Sequence, residues 1–186
     1  ASLAIAQVKA GHRVSVLPLK GNNELGDYLI SNGVEVNLNA FNHHPLLQIR
    51  AIRALRQKGA VFHAHLPRAE LLSRIALGKS NVVFTRHNSE PFFPRAPKRI
   101  SCCISRWVSQ GSITIAISNS VRKFMVENNE IDLTCRVVVI YYGYAPSQIG
   151  SQNQVALGKL KCDFSIGTVS RLSAQKNIPL LIQLTE

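Results

Sequence analysis

Residues 61–88 read VFHAHLPRAELLSRIALGKSNVVFTRHN. The stretch opens on Val61-Phe62-His63-Ala64-His65 and closes on Asn81-Val82-Val83-Phe84-Thr85 before Arg86-His87-Asn88. Both runs are rich in the β-branched and aromatic residues that suit strands. Between them, 67–78 has the length and apolar spacing of a helix. A strand, a crossover helix and a second strand return the chain to the same end of a sheet, so the two strands run parallel. Outward from this unit the pattern repeats. Arg13-Val14-Ser15-Val16-Leu17 and Val34-Glu35-Val36-Asn37-Leu38 come before it. Ile113-Thr114-Ile115-Ala116-Ile117, Arg136-Val137-Val138-Val139-Ile140 and Phe164-Ser165-Ile166-Gly167-Thr168-Val169 follow. Helix-length segments at 23–31, 45–58, 98–109 and 119–130 separate most of them. The alternation predicts an α/β chain, a Rossmann-like parallel sheet with helices on both faces.

Local punctuation agrees with that division. Gly11 and Asn32-Gly33 are helix stops, and Ser118-Asn119-Ser120 offers capping oxygens where a strand turns into a helix. Segment 143–160 loses the period and is rich in Gly, Ser, Gln and Pro. The expected organisation is therefore a first domain over 1–145, a linker over 146–160, and the start of a second Rossmann-like domain over 161–186. The chain opens in one helical pattern, without Met, and closes in another, which reads as a fragment cut at both ends. A doubly wound sheet commonly runs in the order 3-2-1-4-5. A strand missing before helix 1–10 would be the central one, leaving two strand edges unpaired and a fragment that folds poorly alone.

Composition narrows the function classes. With 46% apolar and 17% charged residues the chain is globular, which sets aside disordered and collagen-like classes. No apolar run approaches the ~18 residues of a membrane span. Cys102, Cys103, Cys135 and Cys162 have no metal-ligand spacing, and no signal-peptide pattern is present, so reduced, buried thiols in a cytoplasmic protein are expected. The formal net charge of +12 has two readings. Arg50, Arg53 and Arg56 flank an apolar stripe of Ile49, Ile52 and Leu55, and Arg95, Lys98, Arg99 and Arg106 lie near Phe92-Phe93-Pro94. Such a surface is either a solvated face or a peripheral contact with anionic membrane, at about 1 kcal/mol per well-placed cation. Nucleic acid is not expected as a partner, because aromatic-basic interleaving and helix-turn-helix spacing are both missing.

Open parallel sheets bind ligands at the carboxyl ends of their strands. His63 and His65 share a strand face, and they lack a nearby carboxylate or thiolate to complete a metal site. His63 reads as a hydrogen-bonded core histidine, whereas His65 fits a structural or a functional role equally. His87 and Asn88, with Glu90 close behind, read as functional. Further on, Arg171 and Lys176 lie five apart in a loop that leads into a helix. Two cations beside helix N–H groups suit a diphosphate, or else form a solvated basic loop. The segment matches neither a Walker loop nor GxGxxG, and elsewhere GxSxG, HExxH and an evident carboxylate pair are missing. Cys102-Cys103 reads as helix core.

Six segments, in order, resemble motifs of family 4 glycosyltransferases, retaining enzymes of GT-B fold. Ala10-Gly11-His12-Arg13-Val14 resembles the A-x-GH-x-V segment after the first helix. Val61-Phe62-His63-Ala64-His65 is similar to the DVVHAH strand, and Val82-Val83-Phe84-Thr85-Arg86-His87 to VVxTxH. Ile115-Ala116-Ile117-Ser118 resembles xxxVS, and Val137-Val138-Val139-Ile140-Tyr141-Tyr142-Gly143-Tyr144 resembles VxVIxNGVD. The segment from Gly167 through Arg171 and Lys176 to Asn177 is similar to GRLxxxKG.

The resemblance implies two Rossmann-like domains facing across a cleft, acceptor on the first and nucleotide sugar on the second. It implies a retaining hexosyltransferase that moves sugar from a nucleotide-sugar donor, a co-substrate, to a glycan or lipid-linked acceptor. Cell-envelope polysaccharide synthesis, in the cytoplasm or on the inner face of the membrane, is the implied setting. By the same likeness Arg171 and Lys176 clamp the donor diphosphate and His87 is the catalytic residue. His65, Asn88 and Ser118 line the acceptor side of the cleft, and no bound metal or other cofactor is needed. Departures are the missing glycine-rich loop, an ExxxxxxxE segment that would fall beyond Glu186, GTVSRL in place of GRL, and Tyr142 in place of Asn. The activity is accordingly expected of a full-length parent, with this fragment inactive. Other GT-B enzymes, such as a phosphorylase or nucleotide-sugar epimerase, are alternatives, as is a non-catalytic or degenerate Rossmann-like binding protein.

Overall fold

The computed structural model describes residues 1–21, 24–79, 81–143, 167–170, 172 and 176–184. The chain divides into two units, 1–143 and 144–186. In the first, four strands lie side by side in chain order: β3 (Phe62–His65), β4 (Val82–Arg86), β5 (Ile113–Ala116) and β6 (Arg136–Val139). All are parallel, and Ala64, Phe84, Thr114 and Val137 stand in one row across them. The carboxyl ends of the four strands therefore line up at one edge.

Two shorter strands, β1 (Ser15–Val16) and β2 (Glu35–Val36), form a separate parallel pair. The continuous sheet that the alternation suggests is thus two sheets. The break separates β1 from β3, the strands that flank the central position in the 3-2-1-4-5 order. Among the described strands β1 pairs only with β2 and β3 only with β4, so each keeps one edge without a strand partner.

The helices of this unit are α1 (Ser2–Lys9), α2 (Gly26–Ser31), α3 (Pro45–Ala54), α4 (Pro67–Leu77), α5 (Lys98–Ser109) and α6 (Asn119–Glu127). Their starts follow local chemistry. His44 Nδ1 accepts the Leu46 N–H at 3.4 Å with Pro45 in the first turn of α3, and Ser118 Oγ accepts the Val121 N–H at 3.2 Å ahead of α6. After α2, Gly33 takes a φ of 77°, and a Cβ there would stand 3.3 Å from Val8 Cγ1. Both α3 and α6 stop short of 58 and 130. For α6 the cause is visible: Asn129 adopts φ 52°, and the Glu130 N–H donates back to the Met125 carbonyl at 2.9 Å.

The main core lies where α3, α4 and α5 pack around β3 and β4, with Phe84, Phe92, Val108, Leu72 and Ile52 buried together. A second cluster of Ile5, Leu29 and Val34 supports the β1–β2 pair, and a third of Ala116, Val121 and Met125 holds α6. The buried face of α5 is small and polar, through Ser101, Ser105 and Ser109 beside Val108. Cys102 and Cys135 are half-buried and Cys103 is exposed, which corrects their expected burial; all three are free thiols, and Cys162 lies outside the described residues. Among the described residues no helix is long and apolar enough to cross a membrane.

In the second unit α7 (Ile178–Gln183) follows Asn177, which sits at φ 44°. Residues 167–169 are not strand, against the strand expected over 164–169; 164–166 and the linker 146–160 lie outside the described residues.

Candidate functional site

The two-residue period of β3 puts His63 and His65 on one face, with ring centroids 4.2 Å apart. His63 Nε2 is 2.6 Å from Thr85 Oγ1 on β4, the hydrogen-bonded histidine expected from sequence. His65 pairs in register with Thr85, and His87 lies two residues beyond. From there His87 Nε2 reaches His65 Nδ1 at 3.0 Å. The other ring nitrogen of His87, Nδ1, is hydrogen-bonded to the hydroxyl of Tyr142, whose ring stacks on the imidazole at a centroid distance of 5.9 Å. A continuous chain, His65–His87–Tyr142, thus runs across the carboxyl ends of the sheet.

Electrostatics keep this chain neutral. Burial, and behind it the neighbouring imidazoles and the N-terminal ammonium, pull His65 down to about 4. Burial also lowers His87, and burial with the His87 charge lowers His63. Partial burial raises the Tyr142 phenol, so it keeps its proton at neutral pH. Two proton orders satisfy every bond. Tyr142 donates to His87 and His87 to His65, or both donations reverse. A neutral chain that can invert in this way can hold a proton at either end.

Arg86 precedes His87 and turns the opposite way, into the protein. Its Nε donates to Glu70 Oε2 at 3.0 Å, one terminal nitrogen to Glu130 Oε2 at 3.2 Å, and the other to Ser105 Oγ at 2.7 Å. The guanidinium lies 4.4 Å from the centroid of Phe92, and the Phe92 N–H donates to Glu130 Oε1 at 3.0 Å. Arg86, Glu70 and Glu130 are all buried. Two carboxylates share one cation, and burial pushes Glu70 up to about 7 despite Arg86 beside it. A cavity of ≈ 160 Å³ lies beside this cluster, lined in part by Glu70, Arg86, His87 and Asn88.

Asn88 Nδ2 donates to Glu90 Oε2 at 2.7 Å at the cavity. The Ser118 oxygen is engaged as the cap of α6. Arg171 lies outside the described residues, and Lys176 is exposed ahead of α7 in the second unit. Among the described residues no group of three or more His, Cys, Asp and Glu is placed to hold a metal ion. Arg53 is tied to the last turn of α4, donating to the Ile75 and Ala76 carbonyls at 3.3 Å each, so it is not a free surface cation. On α5, Ile100 and Trp107 are exposed beside Lys98, Arg99 and Arg106.

Sequence reasoning missed Tyr142, Glu70 and Glu130. Only Tyr142 left a trace, as the residue that departs from the family motif. The family model described as Glycosyltransferase Family 4 matches residues 1–148. No curated protein and no solved structure matches the chain.

Proposed function

The chain belongs to glycosyltransferase family 4, and from that premise we propose that it serves a retaining hexosyltransferase of GT-B fold. The donor is a nucleotide sugar and the acceptor a glycan or lipid-linked precursor in cell-envelope polysaccharide synthesis. The observation that carries this reading is the His65–His87–Tyr142 chain at the carboxyl ends of β3, β4 and β6. Transfer forms a bond between an acceptor hydroxyl oxygen and the anomeric carbon, breaks the bond from that carbon to the donor phosphate oxygen, and passes the hydroxyl proton to that departing oxygen. Both ring nitrogens of His87 are engaged by His65 and Tyr142, so a sugar hydroxyl would meet the neutral imidazole by taking the place of His65 at Nε2, with Tyr142 still fixing the ring through Nδ1.

His87 is the catalytic residue of this proposal, with His65 and Asn88 on the acceptor side. Ser118 joins them through its O–H, which has no acceptor among the described residues, its oxygen being the helix cap. Arg171 and Lys176 would clamp the donor diphosphate and stabilise charge on the departing nucleotide, with no metal or other cofactor. The exposed Ile100 and Trp107 among the cations of α5 support a peripheral contact with anionic lipid on the inner face of the cytoplasmic membrane.

The test is transfer by the full-length parent from a panel of UDP-, GDP- and ADP-sugars, with the anomeric configuration of the product read by NMR. Retention of configuration is expected. Arg171→Ala should raise the barrier by about 2–4 kcal/mol if its charge acts mainly in the transition state. Near-normal turnover in that variant would remove Arg171 from the donor site, and an inverted product would overturn the retaining assignment.

A further inference from the structure

We propose that the cavity beside His87 is a subsite for a sugar hydroxyl, and that Glu70 Oε1 is the atom that recognises it. The inference deepens the acceptor side of the proposed transferase and rests on that reading for the identity of its ligand. Glu70 is 1% exposed, and its Oε2 is held by Arg86. Its Oε1 has no hydrogen-bond partner among the described residues. The neighbouring groups are committed elsewhere: Arg86 to Glu70 Oε2, Glu130 and Ser105, and Glu130 Oε1 to the Phe92 N–H. Every other buried side-chain nitrogen and oxygen among the described residues has at least one partner, so Glu70 Oε1 alone is left over, and Glu70 lines the cavity. A buried polar atom without a partner is costly, and a ligand that donates to it recovers that cost.

Size and chemistry restrict the ligand. A single water needs only ~10–15 Å³ of such space, so ≈ 160 Å³ is far more than hydration of one atom requires. The lining combines the apolar Phe92, Pro91 and Pro94, which suit the C–H groups of a ring, with the polar Asn88, Glu90 and His87. A hydroxyl both donates and accepts, so it satisfies Glu70 whether the carboxyl is ionised or protonated. An ammonium satisfies only the ionised form. With burial pushing Glu70 up to about 7, both forms are present near neutral pH, which favours the hydroxyl.

The experiment follows the Asn88 side-chain amide and the His87 ring by NMR while methyl α-D-glucopyranoside and its monodeoxy analogues are titrated into the protein. Both signals should shift and saturate, and removal of one particular hydroxyl should weaken binding about tenfold or more. Glu70→Met removes the acceptor while leaving Arg86 paired with Glu130, and should abolish that dependence. The deoxy series is read on the unaltered protein, so it stands even if the variant fails to fold. The proposal is overturned if no glycoside shifts these signals, if all deoxy analogues bind alike, or if methylamine binds and the glycosides do not. Nucleotide-sugar turnover without glycoside binding at the cavity overturns this inference alone. Glycoside binding without turnover by the full-length parent leaves the subsite standing and overturns the proposed function.

Discussion

Arg86 and His87 are consecutive residues at the end of β4, and they anchor clusters built on opposite principles. Arg86 faces inward to two carboxylates, all three buried, with formal charges that do not balance. His87 lies at the strand tip between His65 and Tyr142 in a chain whose members are neutral and partly open to solvent. The ionic cluster joins β4 to α4 and to the turn after α6, so it locks the base of the site. The imidazole chain holds nothing together that the sheet does not already hold. On the proposed function, one strand end separates stability from chemistry by the alternation of its side chains, and substitutions on the two sides should differ in what they damage.

Arg86→Met should have the largest effect on folding. It leaves Glu70 and Glu130 buried without their cation, which typically costs about 3–5 kcal/mol. Urea denaturation of the variant measures this directly, and a loss below about 1 kcal/mol would erase the distinction between the clusters. Next in size is the dependence on pH. Glu70 has a folded pKa raised from 4.5 to about 7, so the native state binds more protons than the unfolded chain between those values. Its contribution to stability is full below about 4.5 and is lost as pH rises towards 7, by about 3 kcal/mol. His65 acts in the other direction. Its pKa falls from 6.5 to about 4, so stability is lost as pH falls through that window. Denaturation of Glu70→Gln across pH 4.5–7.5 should remove the first dependence and reveal a stability that rises with pH; an unchanged profile would place the titration elsewhere.

Smaller effects sharpen the contrast. Tyr142→Phe removes one hydrogen bond from His87, worth about 1 kcal/mol. It should slow transfer several-fold while stability in urea falls by no more than about 1 kcal/mol. Ser118→Ala should lower stability by about 1 kcal/mol through loss of the α6 cap. Its transfer rate tells whether the O–H of Ser118 also serves the acceptor.

Sequence made the two clusters visible to very different degrees. His65 and His87 could be found because a strand that ends in imidazoles, in a parallel sheet, delivers them to the ligand-binding edge whatever the tertiary detail. Tyr142 stands 55 residues from His87, and only the parallel pairing of β6 beside β5 brings the two together. The ion cluster joins residues 16 and 44 apart. Glu70 looks like an ordinary helical acid, and Glu130 fell inside a helix expected to run to 130. The left-handed Asn129 ends α6 early and turns Glu130 inward, a single backbone event that helical periodicity does not register. The strand alternation was equally readable, while the break between the β1–β2 pair and the four-stranded sheet is a matter of pairing that local pattern cannot decide.

The central claim is that the strand-tip imidazole chain carries sugar transfer on a scaffold that does not depend on it. The direct test is His87→Ala, with turnover of the nucleotide sugar that proves to be the donor and the urea midpoint measured on the same preparation. The account predicts a loss of about 10²–10⁴ in turnover, with stability within about 1 kcal/mol of the parent. Transfer within a few-fold of the unaltered protein, in a variant that folds normally, would contradict it.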